Sequence, residues 1–229
     1  MTKTGIIGHR GAAGLALENS PNSIRAALDY DIDAIEFDIH RTRDGKLVVL
    51  HDSHTGRIAE KRVLVHMKTL AELQALKLKN GQQLPTLEEL FQLIGNKKTV
   101  VIDIKDLGCT EELLRLLAAY PEVSAECTSL KYSELAKLHK ARPDLPLFVR
   151  DLLNPFEILH TARQLGAKGI SLNMWLMNPL TFWLAKRRNL ELRIYTVNNA
   201  RLGRFFRTLY PDIVIYTNHP ERFVSSSKG

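Results

Sequence analysis

The chain reads as an α/β protein, a (β/α)₈ TIM barrel with a β-hairpin extension after the second strand and an insertion before the third. Three observations predict it. Short apolar, β-branched runs alternate with amphipathic stretches from end to end. Eight such runs fall within 229 residues, a number and a length at which a parallel sheet closes on itself. No Gly-x-Gly-x-x-Gly follows the first run, which disfavours an open dinucleotide-binding sheet. No linker, repeat or low-complexity tract interrupts the pattern, so residues 1–229 read as a single barrel domain.

The predicted barrel strands are residues 4–8, 34–39, 99–104, 123–127, 147–150, 169–172, 192–196 and 213–216. Helices are read at 21–30, 70–78, 86–94, 111–119, 132–140, 155–165, 179–188 and 201–209. Asn154-Pro155 and Asn178-Pro179 each supply a capping side chain followed by a proline whose missing N–H costs nothing in a first turn. Residues 46–51 break the alternation, as an extended run joined to the second strand by Asp44-Gly45. Asp-Gly between extended residues signals a tight hairpin. A two-residue turn there pairs Arg43 with Lys46 and sets His51 opposite Asp38. Residues 225–229 read as a frayed tail.

A hydrophobic fraction of 45% and a charged fraction of 25% are ordinary for a globular protein. No run of eighteen apolar residues predicts a transmembrane helix, and the opening Met1-Thr2-Lys3-Thr4 leads into a strand too short for a signal peptide. Cys109 and Cys127 have no metal-ligand spacing and make no disulfide framework, which points to a reducing cytoplasm. The net charge of +7 suits an anionic substrate, a membrane surface or nucleic acid. The basic run at 186–188 and the series Arg201, Arg204, Arg207 read as solvated helix faces, so no nucleic-acid partner is expected.

The chemistry gathers at strand ends. Glu36 and Asp38, two residues apart, share one face near the C-terminal end of their strand, where barrel enzymes carry their sites. Two acids aimed into an apolar barrel are costly unless a cation or a basic group answers them. A hard divalent ion such as Mg²⁺ or Ca²⁺ fits carboxylate donors; a salt-bridged interior using Arg10 or Lys105 is the alternative. Asp103 and Lys105 repeat the arrangement on the next barrel strand, as a third metal ligand and a phosphate contact or charge balance. Arg10 offers the fork that grips phosphate. His9 ends the first strand and His51 the hairpin, a pair able to supply base and acid near neutral pH. Asp52 would orient His51. His40, His54, His66, His139, His160 and His219 read as surface or structural. Trp175, Leu176, Met177, Phe182 and Trp183 read as core, with an apolar patch at the barrel mouth as the alternative.

His9-Arg10-Gly11, Glu18-Asn19-Ser20, Glu36-Phe37-Asp38, Thr42-Arg43-Asp44-Gly45 and Val48-Val49-Leu50-His51-Asp52 form an ordered series. That series resembles the glycerophosphodiester phosphodiesterases. Pro85-Thr86-Leu87-Glu88-Glu89, Tyr195-Thr196-Val197-Asn198 and Thr217-Asn218-His219-Pro220 are similar to later segments of the same family. The resemblance implies a barrel that hydrolyses a small-molecule glycerophosphodiester to glycerol 3-phosphate and an alcohol. It implies one divalent cation, Mg²⁺ or Ca²⁺, on Glu36, Asp38 and Asp103, with Arg10 and Lys105 on the phosphodiester and His9 and His51 as the acid–base pair. His51 reads as the acid, since a carboxylate neighbour favours charged imidazole. The family usually has Glu at Asp103, Trp at Tyr195 and Asp at Asn218. Two other readings stay open: a lysophospholipase D-like or phospholipase C-like phosphodiesterase, and a non-catalytic phosphate-binding barrel.

Overall fold

The computed structural model describes residues 4–151 and 155–227, so the capping role read for Asn154 lies outside the described residues. The strands are β1 (Ile6–Gly8), β2 (Ala34–Arg41), β3 (Leu47–Val49), β4 (Thr99–Ile104), β5 (Ala125–Ser129), β6 (Leu147–Asp151), β7 (Gly169–Asn173), β8 (Glu191–Tyr195) and β9 (Val214–Thr217). Between them run α1 (Pro21–Leu28), α2 (Leu70–Gln74), α3 (Leu87–Ile94), α4 (Thr110–Ala119), α5 (Tyr132–Ala141), α6 (Pro155–Gln164), α7 (Pro179–Arg187) and α8 (Ala200–Leu209). Eight strands pair in parallel, and β1 bonds both β2 and β9, which closes the barrel. β3 is the exception, antiparallel to β2 and outside the ring.

The strands are buried on both faces, as a helix-wrapped parallel sheet requires; Val100, Val101 and Ile102 have no exposed surface. The helices that wrap the barrel close this core with apolar residues. In α3 the buried residues are Leu87, Leu90, Phe91 and Ile94, the spacing of one helical face. Its start is fixed by reciprocal bonds: Glu89 N–H donates to Thr86 Oγ1 (3.1 Å) and Thr86 N–H donates to Glu89 Oε2 (2.7 Å). The insertion between β3 and α3 builds a second, smaller core from Val48, Leu50, Ile58, Val65, Leu73 and Leu84 against the outer side of the hairpin.

Several expectations shift. The strand read at 123–127 runs over Ala125–Ser129, and the helix read at 70–78 stops at Gln74. The hairpin closes through three residues rather than two. Thr42 N–H donates to the Lys46 carbonyl (2.9 Å), and Gly45 takes the left-handed φ of 81° that this bulged turn requires. The ladder therefore moves by one residue: Ile39 faces Val49, and Leu50 N–H donates to the Asp38 carbonyl (3.1 Å), so Leu50 and not His51 lies across from Asp38. The tail is not frayed as far as it is described, since Ser227 N–H donates to the Asp29 carbonyl (2.8 Å) and Asp31 N–H to that of Ser225 (3.2 Å). The aromatic run read as core divides. Met177 and Phe182 pack on the core, whereas Trp175 is 78% exposed on a short 3₁₀ turn (Met174–Leu176) and Trp183 50% exposed, because adjacent residues of α7 point about 100° apart.

One buried carboxylate joins two helices. Glu134 of α5 accepts from Thr110 N–H (3.0 Å) and Thr110 Oγ1 (2.7 Å) at the first turn of α4, and from Lys137 Nζ (2.7 Å). Burial alone would raise its pKa, but the bonds from Lys137, Thr110 and the Gly108 backbone outweigh burial and hold it at about 2. A depressed carboxylate stabilises the fold above its unfolded pKa, near 4.5, and that contribution is lost as pH falls toward the folded value. Glu134→Gln is therefore expected to be less stable than wild type at pH 6 and to approach it at pH 2.5. Thermal unfolding across that range reads the gap; a gap of equal size at both ends contradicts the assignment.

Candidate active site at the barrel mouth

β2 and β4 pair in register with Asp38 beside Asp103, and Glu36 lies two residues before Asp38 on the same face. The three carboxylates each offer an oxygen within 4.8 Å of the others, and none is more than 2% exposed. Cations answer them. Lys105 Nζ, two residues past Asp103, lies 2.7 Å from Asp38 Oδ1 and 2.6 Å from Asp103 Oδ2. Arg10 Nε lies 3.3 Å from Asp38 Oδ2, and Arg150, at the end of β6, donates to Asp103 Oδ2. Burial opposes ionisation of Asp38, yet Lys105 and Arg10 hold its carboxyl below the usual carboxylate range. Glu36 goes the other way: burial, then Asp38 and Asp103, push it up to about 8. Burial and its two carboxylate neighbours thus favour a proton on Glu36.

The loop between β1 and α1 folds over the acids. Arg10 takes a left-handed φ of 52°, which costs a non-glycine residue on the order of 1–2 kcal/mol. Its N–H donates to Glu36 Oε2 (2.8 Å) and holds it there. Asn19, also left-handed at φ 56°, donates Nδ2–H to Asp38 Oδ2 (2.8 Å) and accepts from Asp38 N–H (3.2 Å).

His9 Nδ1 lies 2.7 Å from Asn218 Oδ1, and Asn218 is itself held through its N–H by Asn198 Oδ1 (2.9 Å). An amide oxygen only accepts, so Nδ1 carries the proton and Nε2 is left bare, 4.0 Å from Glu36 Oε2. Burial, then Arg10, lowers the His9 pKa to about 4. His51 Nδ1 lies 2.7 Å from Asp52 Oδ1. The sequence placed His51 toward its charged form; the structure reverses this, because burial, with Arg10 and Lys105, lowers its pKa more than Asp38 and Asp52 raise it. Asp38 and His51 act on each other's ionisation, so the hairpin does return His51 to the carboxylates despite the shifted register.

Two arginines escaped the sequence reading. Arg57, from the insertion, donates to Asp52 Oδ2 (2.8 Å) and to both Glu18 oxygens (2.6 and 2.7 Å), while Glu18 accepts from Arg10 (3.0 Å). A chain of charges thus runs from His51 through Asp52, Arg57 and Glu18 to Arg10. No local signal marks Arg57. Arg150 did carry one: it ends the apolar run Leu147-Phe148-Val149, as Asp38 and Asp103 end theirs. Its guanidinium stacks 4.1 Å above the Tyr195 ring. His40 is structural, buried between Asp106 Oδ2 (2.8 Å) and the His51 carbonyl (3.0 Å).

Arg150→Met removes one of the two cations bonded to a buried Asp103 and is expected to cost roughly 2–4 kcal/mol of stability. Asp103→Asn in the same chain should restore part of that loss. Urea unfolding of the three proteins tests it, and a single variant as stable as wild type overturns the pairing.

The description of the glycerophosphoryl diester phosphodiesterase family matches residues 9–222. The glycerophosphodiester phosphodiesterase of Caldanaerobacter subterraneus is 27% identical over 238 residues, which cover 97% of each chain. One from Bacillus subtilis is 26% identical over 254 residues, covering 97% of this chain and 86% of its own. Among solved structures, a phosphodiesterase from Oleispira antarctica, in complex with the product sn-glycerol-3-phosphate, shares the fold at a TM-score of 0.88 with 21% identity, over 95% of this chain and 94% of that one. The glycerophosphodiester phosphodiesterase of Thermotoga maritima does so at 0.83 with 19% identity over 97% of both. With a match that spans the barrel from His9 at its first strand to the segment beyond its last, the chain belongs to the glycerophosphoryl diester phosphodiesterase family.

Proposed function

We propose that this protein hydrolyses glycerophosphodiesters to glycerol 3-phosphate and an alcohol, with His9 and His51 as the acid–base pair and one divalent cation, Mg²⁺ or Ca²⁺. The observation that carries the reading is the pair of imidazoles, each fixed through Nδ1 by an acceptor at 2.7 Å, beside a cluster of acids and phosphate-gripping cations. A fixed Nδ1 leaves Nε2 of each ring to move a proton.

The acids fit the cation. Three carboxylates with oxygens within 4.8 Å form a hard-donor set, and burial, then the charges of Asp38 and Asp103, favour a proton on Glu36 that a bound cation would displace. Glu36, Asp38 and Asp103 would hold the ion, which when bound offsets charge on the phosphodiester oxygens. Arg10 and Lys105 bind and orient the phosphodiester, and Lys105 also favours the ionised form of Asp38. His9, kept neutral by burial, accepts the proton of the attacking hydroxyl at Nε2, whether the hydroxyl is the glycerol 2-OH or water. His51 delivers a proton from Nε2 to the leaving alcohol oxygen when its ring is charged, a form that Asp38 and Asp52 favour against burial, with Asp52 and Arg57 holding the ring. Cys109 and Cys127 are free and buried, which supports a cytoplasmic setting.

His9→Ala and His51→Ala are each expected to lower glycerophosphocholine turnover by roughly 10²–10⁴-fold with an unchanged circular dichroism spectrum. Near-normal turnover in either variant removes that residue from the mechanism. EDTA should abolish activity, and added Mg²⁺ or Ca²⁺ should restore it. Titrating the ion into metal-free protein at pH 7, in buffers of different ionisation enthalpy, should release up to about one proton per ion, drawn from Glu36. Heats independent of the buffer would argue against cation binding at Glu36.

A further inference from the structure

Four exposed apolar side chains belong to one end of the barrel, apart from Leu180, Trp183, Phe205 and Leu209, which are exposed on α7 and α8. Trp175 is 78% exposed, Leu107 61%, Met67 56% and Leu130 41%. Leu107 follows β4, Leu130 follows β5 and Trp175 follows β7, so all three sit on the face that carries the C-terminal strand ends and the site. Met67 reaches that face from the insertion. Leu107 comes two residues after Lys105, which places the apolar rim at the edge of the site.

The same rim is cationic. A surface depression is lined together by Arg41, Arg43, His66, Asp106, Leu107 and Lys131, which joins the hairpin tip, the insertion and the loops after β4 and β5 into one surface. Met67 and Leu130 adjoin it in sequence. Three fixed positive charges there face one carboxylate, and Asp106 is already bonded to His40 Nδ1 (2.8 Å). Arg43 reaches Glu72 at 3.2 Å but remains 58% exposed.

Exposed leucine, methionine and tryptophan beside arginine and lysine match an interface between acyl chains and anionic head groups: the apolar groups enter the boundary while the cations stay at its charged surface. No helix among the described residues is long and apolar enough to cross a membrane, and surface docking needs none. The leucines weigh against nucleic acid, which would reward the cations alone. We infer that the barrel mouth docks onto an anionic lipid bilayer, with Trp175, Leu107, Leu130 and Met67 inserted at the interface and Arg41, Arg43 and Lys131 on the head groups. The inference stands apart from the reaction proposed above, because vesicle binding is read without turnover.

The test is co-sedimentation of the full chain with phosphatidylcholine vesicles and with vesicles containing phosphatidylglycerol. Binding to the anionic vesicles should be stronger by on the order of tenfold and should weaken as salt is raised. Trp175→Ser with Leu107→Ser should weaken it by a similar factor, as should Arg43→Glu with Lys131→Glu. Turnover of soluble glycerophosphocholine should be unchanged in both pairs, since none of these residues touches the carboxylates or histidines. Phe205→Ser, 56% exposed on α8 in the barrel wall, should leave vesicle binding intact. Equal binding to both vesicle types, equal loss with Phe205→Ser, or a concentration-dependent dimer in sedimentation velocity that Leu107→Ser dissolves would each overturn the inference.

Discussion

Charge compensation beneath the barrel mouth is the constraint on which the surrounding structure depends. Glu36, Asp38 and Asp103 lie closer together than three carboxylates tolerate in a buried setting, and a buried ion without a partner costs several kcal/mol. The cations that answer them come from three places in the chain. Arg10 arrives on a loop bent into a left-handed turn, Lys105 from the end of β4, and Arg150 from the end of β6. The shape of the first loop follows from this demand, since its two left-handed non-glycine residues both meet the acids: Arg10 through its N–H and guanidinium, Asn19 through its side-chain amide. Only a closed barrel brings these elements to one point.

The hairpin and insertion extend the same logic outward. β3 adds nothing to barrel closure, yet it carries His51 back toward the acids, and the insertion covers it with a core of its own. From that covering segment Arg57 ties Asp52 to Glu18, and Glu18 to Arg10. The orientation of His51 and that of Arg10 are thereby coupled through one guanidinium. An insertion that looks like surface elaboration is part of the scaffold of the site.

Most of the barrel was legible because its signals are local. Period-two alternation set Glu36 with Asp38 and Asp103 with Lys105, and apolar neighbours placed those residues on buried strands. What the sequence could not convey depends on three-dimensional context. Asp44-Gly45 permits both a two-residue and a three-residue loop, and the bond from Thr42 N–H to the Lys46 carbonyl, with Asp44 outside the left-handed region, decides between them. His51 has Asp52 beside it in sequence, but burial with Arg10 and Lys105 prevails over the carboxylates, and these belong to the fold. Arg57 lies in a stretch without periodicity and so carried no signal. Trp175 and Trp183 were misread because an aromatic run resembles core until the helix phase is known.

The bond from His9 Nδ1 to Asn218 Oδ1 spans 209 positions in the sequence. His9 also donates its backbone N–H to the Thr217 carbonyl (2.8 Å), so the first strand and the last are one seam. A nascent polypeptide exposes His9, Arg10 and both acids of β2 to the ribosome's surroundings while the atom that sets the tautomer of His9 has yet to be translated. The ring acquires its defined protonation only when β9 slots beside β1. Assembly of the pocket therefore coincides with completion of the barrel, and a chain halted before β9 holds the ingredients of the site without its alignment.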